Sequence, residues 1–179
     1  MVGSSTKQGA HSLFLYESLE RICLALGGDK EDYLRAISQS FMVSADNAHA
    51  VHPNHPEHYD PVNRCYMNKG VVVKTHSGQK YTSDGQTIAV LRMIAEEAGV
   101  PLQYFSNRSD KNGGRTLGHL SATHVSVRSV DIGLPQLAMH SAYETAGSKD
   151  IEYLVELMKT YYSTKILVDE DDCLTTLFG

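Results

Sequence analysis

Cysteine, positive charge and long apolar runs are all scarce in this chain of 179 residues. Its three cysteines, Cys23, Cys65 and Cys173, lie far apart and form no CxxC pair, so neither a disulfide framework nor a cysteine zinc site is indicated and a reducing cytoplasm is expected. The formal net charge is -5 without a basic stripe, so nucleic acid is not expected as a partner. No apolar run reaches membrane-spanning length and the polar start MVGSSTKQGAHS lacks a signal-peptide layout, so no membrane association is expected.

Hydrophobic residues make up 41% of the chain, enough for the core of one domain. Helical spacing of apolar residues predicts helices over 12–26, 29–40, 85–98, 116–124 and 149–162. Strands are predicted over 41–45, 71–73, 102–105 and 125–132, the first of them fully buried. In the last helix the predicted inward face consists of Ile151, Leu154, Val155 and Met158, and in the second helix of Tyr33, Leu34 and Ile37. This alternation favours an α/β sandwich on a partly parallel sheet, with functional residues at the carboxyl ends of strands.

Four histidines follow one another at three-residue spacing in the segment SADNAHAVHPNHPEHYDP: His49, His52, His55 and His58. Pro53, Pro56 and Pro61 predict a long loop without regular structure between 47 and 69. Because these prolines prevent a helix from placing the imidazoles on one face, a solvated loop is favoured, at least for His55 and His58. A histidine-rich metal-storage or nickel-binding loop is the alternative.

Other polar residues occupy positions where a ligand site can form. Asp46 directly follows the first predicted strand, and His140 lies beyond the apolar run that ends at Ile132. Lys74 and Tyr81 flank the turn Ser77–Gly78 and could face one cleft, although lysines and tyrosines at such places are common. In NRSDKNGGRT, Gly113 and Gly114 allow a ligand to approach the backbone, or simply form a turn.

Five segments together resemble the aspartyl aminopeptidase family of two-metal peptidases: VGSSTKQGA, SADNAHAVHPNHPE, VVVKTHSGQKYTSD, NRSDKNGGRTLGH and VDIGLPQLAMHSAYE. They occur in the family's order. The resemblance implies a three-layer αβα sandwich around a mixed, partly parallel sheet, of the zinc-aminopeptidase type, with residues 1–179 as the C-terminal portion of the catalytic domain.

The resemblance also implies the roles of individual residues. Asp46 and His140 are expected as metal ligands, and His49, Lys74 and Tyr81, with Gly113 and Gly114, as substrate-binding residues. The implied cofactor is zinc, two ions in the complete enzyme, with cobalt or manganese as alternatives. The implied partners are peptides, whose N-terminal residues are removed through hydrolysis by metal-activated water, and further copies of the chain in a homo-oligomer. Whether acidic or neutral N-terminal residues are preferred is left open, because Lys74 is compatible with both.

The sequence departs from the family pattern at its start. A Glu-Glu pair precedes the VGS motif in the family, the first glutamate acting as general base, and Met1 stands where the second would be. We therefore expect a chain truncated at the N-terminus, or one half of a split enzyme, that is inactive alone, because losing a general base costs about 10²–10⁴-fold. An exposed apolar face that supports dimerisation is expected where the missing strands belong. The alternative from another class is a non-catalytic assembly or interaction module derived from the same fold.

Overall fold

The computed structural model describes residues 3–169 and 171–179. Met1 and Val2, on which the comparison with the Glu-Glu pair depends, lie outside the described residues. The helices are α1 (Phe14–Ala25), α2 (Lys30–Ser38), α3 (Gly85–Glu97), α4 (Leu117–Ser121) and α5 (Ser148–Ser163), with a 3₁₀ turn at Pro56–His58. The strands are β1 (Phe41–Ala45), β2 (Ala48–His49), β3 (Val71–Thr75), β4 (Leu102–Ser106), β5 (Arg128–Gly133), β6 (Pro135–Leu137), β7 (Thr145–Ala146), β8 (Lys165–Val168) and β9 (Leu174–Leu177).

The main sheet has four strands in the order β1-β5-β3-β4. Strand β1 runs parallel to β5 and β3 parallel to β4, whereas β5 and β3 are antiparallel. Helices α3 and α5 pack on one face and α4 lies against β1 and β5 on the other. The predicted mixed, partly parallel sheet between helical layers is therefore confirmed. Two small sheets, β2-β6-β7 and β8-β9, were not predicted.

The two faces of the main sheet differ in chemistry because side chains alternate along each strand. On the face toward α3 and α5, the strands place four fully buried residues: Val71, Val73, Val130 and Ile132. Leu91 and Ile94 of α3 and Leu157 of α5 complete this core. The opposite face carries Lys74, Phe105 and Asp131, so the buried charged groups of the sheet lie on one side.

Helix starts agree with the sequence prediction. Asp29 accepts the Asp32 N–H at 2.9 Å and the Asp32 side chain accepts the Asp29 N–H, which forms a capping box at α2. Asp84 and Thr87 make the same reciprocal pair at α3. Such a cap satisfies backbone donors that no helical carbonyl can reach.

The predicted inward face of α5 is wrong in part. Ile151 is 54% exposed and Val155 47% exposed, whereas Asp150 and Leu157 are fully buried. The Asp150 carboxylate accepts the N–H groups of Asn68 at 2.6 Å and Gly70 at 2.9 Å, and this contact fixes the rotation of the helix. The same correction applies in α2, where Tyr33 is buried but Leu34 is 50% exposed.

Strand β1 is an edge strand within the described part of the chain. Phe41, Met42 and Val43 are only half-buried, which corrects the prediction of a fully buried strand. Beside it, no residue of α1 is buried, and an apolar groove of about 280 Å³ lies between α1, β1 and α5. The expected exposed apolar face is thus present. None of the helices in the described ranges is long and apolar enough to cross a membrane.

Candidate active site

One cavity of about 240 Å³ brings together all seven residues predicted for the site. They are Asp46, His49, Lys74, Tyr81, Gly113, Gly114 and His140. These residues span most of the sequence, so the fold and not local spacing makes them converge. Their chemical roles remain predictions.

Two segments that leave neighbouring parallel strands bring Asp46, His49 and His140 together. The Asp46 N–H donates to the Ile132 carbonyl at 2.9 Å, and the chain then continues as β2 alongside β6, with His49 opposite Gln136. A Cβ on Gly133 would lie 2.0 Å from the Asp46 carbonyl oxygen, so this close approach requires glycine. The carboxylate is therefore presented at the end of β1, as the sequence predicted.

His140 lies in a tight turn after β6. Its φ is 68°, in the left-handed region, and that of Ala138 is 55°. The Glu144 carboxylate accepts the His140 N–H at 2.6 Å and the Gln136 side-chain amide at 3.3 Å. Glu144 thus holds the turn that presents the imidazole. It was not identified from the sequence, where a glutamate four residues after a histidine carries no distinguishing signal.

Lys74 lies near the carboxyl end of β3 and is only 3% exposed. Burial lowers its pKa, while the carboxylates of Asp46 and Asp131 favour the charged form. Asp131 is fully buried and accepts the Thr82 N–H at 2.6 Å and the Thr82 hydroxyl at 2.9 Å. Asp131 was not identified from the sequence. Its position within the strand segment SVDIG is a signal that could have found it, since a carboxylate buried in a strand needs a polar partner.

The Tyr81 hydroxyl is oriented by a neighbouring amide. Burial raises the pKa of Tyr81, and the hydrogen bond that Asn107 Nδ2 donates at 3.2 Å to the phenol oxygen acts in the opposite direction. The phenol therefore stays protonated and keeps its own proton for another acceptor. A Cβ on Gly113 would lie 2.2 Å from Asn107 Nδ2, so glycine at 113 permits this arrangement.

His49 reaches solvent at the mouth of the cavity, with its ring centroid 6.4 Å from that of Phe105. Desolvation lowers its pKa, and the neighbouring positive charge of Lys74 lowers it further. The neutral imidazole is therefore favoured, which leaves a nitrogen able to accept a hydrogen bond.

Asp46 and His140 fit part of a zinc site. Carboxylate oxygen and neutral imidazole nitrogen are zinc ligands, and both line this cavity. Among the described residues, no third histidine, cysteine, aspartate or glutamate converges with them at ligand distance. Within the described residues the cavity thus presents two side chains of the ligand type, whereas a zinc site has at least three protein ligands.

A second cluster lies in the turn at Pro56–His58. The ligand atoms of His55, Glu57 and His58 all lie within 4.8 Å of one another. His55 and His58 are exposed, as expected for a solvated loop, but the turn and strand β2 correct the expectation that residues 47–69 contain no regular structure. Pro56 occupies the start of a 3₁₀ turn, where its missing N–H is no loss, and residues three apart eclipse one another in such a turn.

Known proteins match most of the chain. Residues 1–162 match the model of the family described as aminopeptidase I zinc metalloprotease (M18). A relative from Clostridium acetobutylicum, named probable M18 family aminopeptidase 2, is 51% identical over 162 residues, which are 90% of this chain and 37% of that protein.

Solved structures agree in fold. Ape4 in the cryo-EM structure of its complex with Nbr1 is 41% identical with a TM-score of 0.85, over 90% of this chain and 30% of that one. The S. cerevisiae mApe1 dodecamer is 29% identical with a TM-score of 0.76, over 90% of this chain and 35% of that one. The chain therefore spans little more than a third of the length of the relatives and solved structures that it matches, 37% of the clostridial protein and 30–35% of these two structures.

Proposed function

Because the chain belongs to the aminopeptidase I zinc metalloprotease (M18) family, we propose that it contributes two metal ligands and one wall of the substrate cavity to a metallo-aminopeptidase. The observation that carries this proposal is the convergence of all seven predicted site residues on one cavity. Residues 1–179 would then be the C-terminal portion of the catalytic domain. A non-catalytic module is not favoured, because the relatives are named aminopeptidases.

In this proposal Asp46 and His140 hold zinc, in a two-ion centre for which cobalt or manganese are alternatives. When bound, the metal pair would supply a water of lowered pKa and polarise the peptide carbonyl. Glu144 fixes the turn that carries His140, and its role is to hold the imidazole in the orientation for ligation. The remaining ligands would come from outside the described residues.

Three side chains would bind and orient the peptide. Lys74 presents a buried cation to the cavity, where it would pair with an acidic substrate side chain or with negative charge that develops during hydrolysis. Tyr81, positioned by Asn107, would donate its phenolic proton to the developing oxyanion. His49 would accept a hydrogen bond from the substrate at the mouth of the cavity. The backbone at Gly113 and Gly114 would line the same cavity.

We further propose a homo-oligomer, supported by the mApe1 dodecamer among the structural neighbours and by the apolar groove beside β1. A second copy of the chain that adds along this edge would be one mode of association. The proposed compartment is the cytoplasm, for which the scarcity of cysteines is the support.

A chimaera tests the proposal on this chain's own residues. Residues 1–162 would replace the matching segment of the clostridial relative, which is 51% identical. We expect the chimaera to bind zinc and to release N-terminal residues from peptides. Asp46→Asn and His140→Gln should each lower kcat/KM by about 10²-fold or more and reduce the zinc content, since each removes a ligand.

Glu152→Gln, on the exposed side of α5, is the matched control and should leave kcat/KM unchanged. Circular dichroism and gel filtration would establish that each variant folds and assembles like the parent. A folded, correctly assembled chimaera without activity would refute the proposal. So would full activity in the Asp46→Asn and His140→Gln variants.

The role of Lys74 is tested by comparing peptides with acidic and neutral N-terminal residues. If Lys74 binds an acidic side chain, Lys74→Met should lower kcat/KM for the acidic peptide alone. An equal loss for both peptides would assign the cation to the reacting centre instead.

A further inference from the structure

The turn at Pro56–His58 presents three metal-ligating side chains outside the proposed active site. His55 and His58 are three residues apart, and the 3₁₀ geometry places their side chains one above the other. Their ring centroids are 5.7 Å apart, and the Glu57 carboxylate lies close to a nitrogen of each ring. Local backbone geometry therefore creates this cluster without any contribution from distant segments.

The distances between the ligand atoms suit a transition metal. Glu57 Oε1 lies 3.2 Å from His55 Nδ1 and 3.8 Å from His58 Nε2. In a tetrahedral zinc site with bonds of 2.0–2.1 Å, neighbouring ligand atoms are about 3.3 Å apart. Small side-chain rotations would therefore complete the geometry. All three side chains are more than half exposed, so an ion can enter and a water molecule can occupy the fourth position.

His52 belongs to the same loop but has a different role. Its ring centroid is 5.3 Å from that of His55, yet its Nδ1 already accepts the Asn54 N–H at 3.2 Å. That nitrogen is therefore occupied, and the bond favours the tautomer with the proton on Nε2. Arg108 donates to the Glu57 carbonyl and so secures the turn, while its guanidinium also pairs with Asp110 at 2.7 Å.

We propose that His55 Nδ1, Glu57 Oε1 and His58 Nε2 bind one divalent transition-metal ion, such as Zn²⁺ or Ni²⁺, separately from Asp46 and His140. Two imidazoles and one carboxylate with an open position form a ligand set that zinc accepts. The site lies at the rim of the active-site region, because His58 lines a cavity of about 190 Å³ that shares His49, Phe105 and Asn107 with the main cavity. The proposal does not depend on aminopeptidase activity.

The test uses the full chain with Asp46→Asn and His140→Gln together, so that the proposed active-site ligands are removed. Isothermal titration with ZnCl₂ and with NiCl₂ should show one ion per chain in this background. Adding His58→Gln should weaken binding by about tenfold or more, and Glu57→Gln should do so as well, because each removes a ligand. Adding His52→Gln should leave the affinity unchanged, which makes it the matched control.

Coordination itself is read from the visible absorption of bound Co²⁺, which should appear in the background variant, persist with His52→Gln and disappear with His58→Gln. Circular dichroism would verify that the variants fold, as expected for changes on an exposed turn. The absence of binding to the background variant would overturn the proposal. Equal weakening by His52→Gln and His58→Gln would also overturn it, since that result describes nonspecific binding to a histidine-rich loop.

Discussion

Replacing Gly113 by alanine should uncouple Tyr81 from Asn107. The new Cβ would lie 2.2 Å from Asn107 Nδ2, more than about 1 Å inside ordinary contact distance, so the amide must swing away. Its 3.2 Å hydrogen bond to the Tyr81 oxygen would then be lost. Because Asn107 can move as a side chain, the free energy of unfolding should fall only by about 0.5–1.5 kcal/mol.

The effect on hydrolysis should be larger than the effect on stability. A catalytic group displaced by about 1 Å can cost about 10²-fold, so kcat/KM of the chimaera should fall by about 10²-fold in the Gly113→Ala variant. Urea denaturation of the chain and steady-state kinetics of the chimaera measure the two effects. Gly85→Ala is the control. Apart from its chain neighbours and the adjacent backbone of its own helix, no atom of the described residues lies within 4 Å of a Cβ at position 85.

Full activity of Gly113→Ala would refute this reasoning, because it would mean that the position of Tyr81 does not depend on the glycine. A crystal structure of the variant in which Asn107 still donates to Tyr81 would refute the geometric step by itself. Equal losses in Gly113→Ala and Gly85→Ala would show that the variant acts through general destabilisation.

Four further predictions concern the site and the fold. Glu144→Ala should weaken zinc binding by the chimaera about 10–100-fold in isothermal titration, because it frees the turn that carries His140. Asp150→Ala should lower the free energy of unfolding by about 3 kcal/mol in urea, because it removes the charged acceptor of the Asn68 and Gly70 N–H groups and leaves the one at Gly70 buried without a partner. Leu157→Ala should lower the free energy of unfolding in urea by about 2–5 kcal/mol, because Leu157 is fully buried, and Ile151→Ala should lower it much less, because Ile151 is 54% exposed. Similar losses for both variants would contradict the rotation of α5 described above. Desolvation lowers the pKa of His49 below its ordinary 6.5, so on acidification His49 is protonated in the unfolded chain before it is protonated in the folded one. The free energy of unfolding should therefore fall as the pH decreases below about 6.5. His49→Gln should flatten this dependence, as measured by urea denaturation at several pH values.

Local signals in the sequence were sufficient for the helices and for the four strands of the main sheet, but not for the short strands of the two small sheets. The helix starts near 29 and 85 could be predicted because capping, here by Asp29 and Asp84, depends on residues only three positions apart, and the apolar runs around Val71 and Val130 predicted strands for the same reason. The rotation of α5 could not be predicted in this way. It is set by Asp150, whose partners Asn68 and Gly70 lie about 80 residues earlier in the chain.

The site residues were named through a family resemblance, whereas the groups that position them were missed. Asn107 donates a hydrogen bond to Tyr81, the Asp131 carboxylate lies near Lys74, and Glu144 accepts the N–H of His140. The spacing of residues in the sequence does not predict these contacts. The turn at Pro56–His58 was missed for a different reason. Proline was treated only as a helix breaker, although at the first position of a 3₁₀ turn it is compatible with helical geometry.

The left-handed backbone of His140 means that stability and activity favour different residues at this position. Glycine adopts a φ of 68° freely, and asparagine adopts it more readily than most residues, so a library sorted only for thermal stability should enrich these two. A library sorted for peptide hydrolysis should retain histidine. Comparing the two populations would separate the requirement for an imidazole from the requirements of the turn, without any structure of a variant.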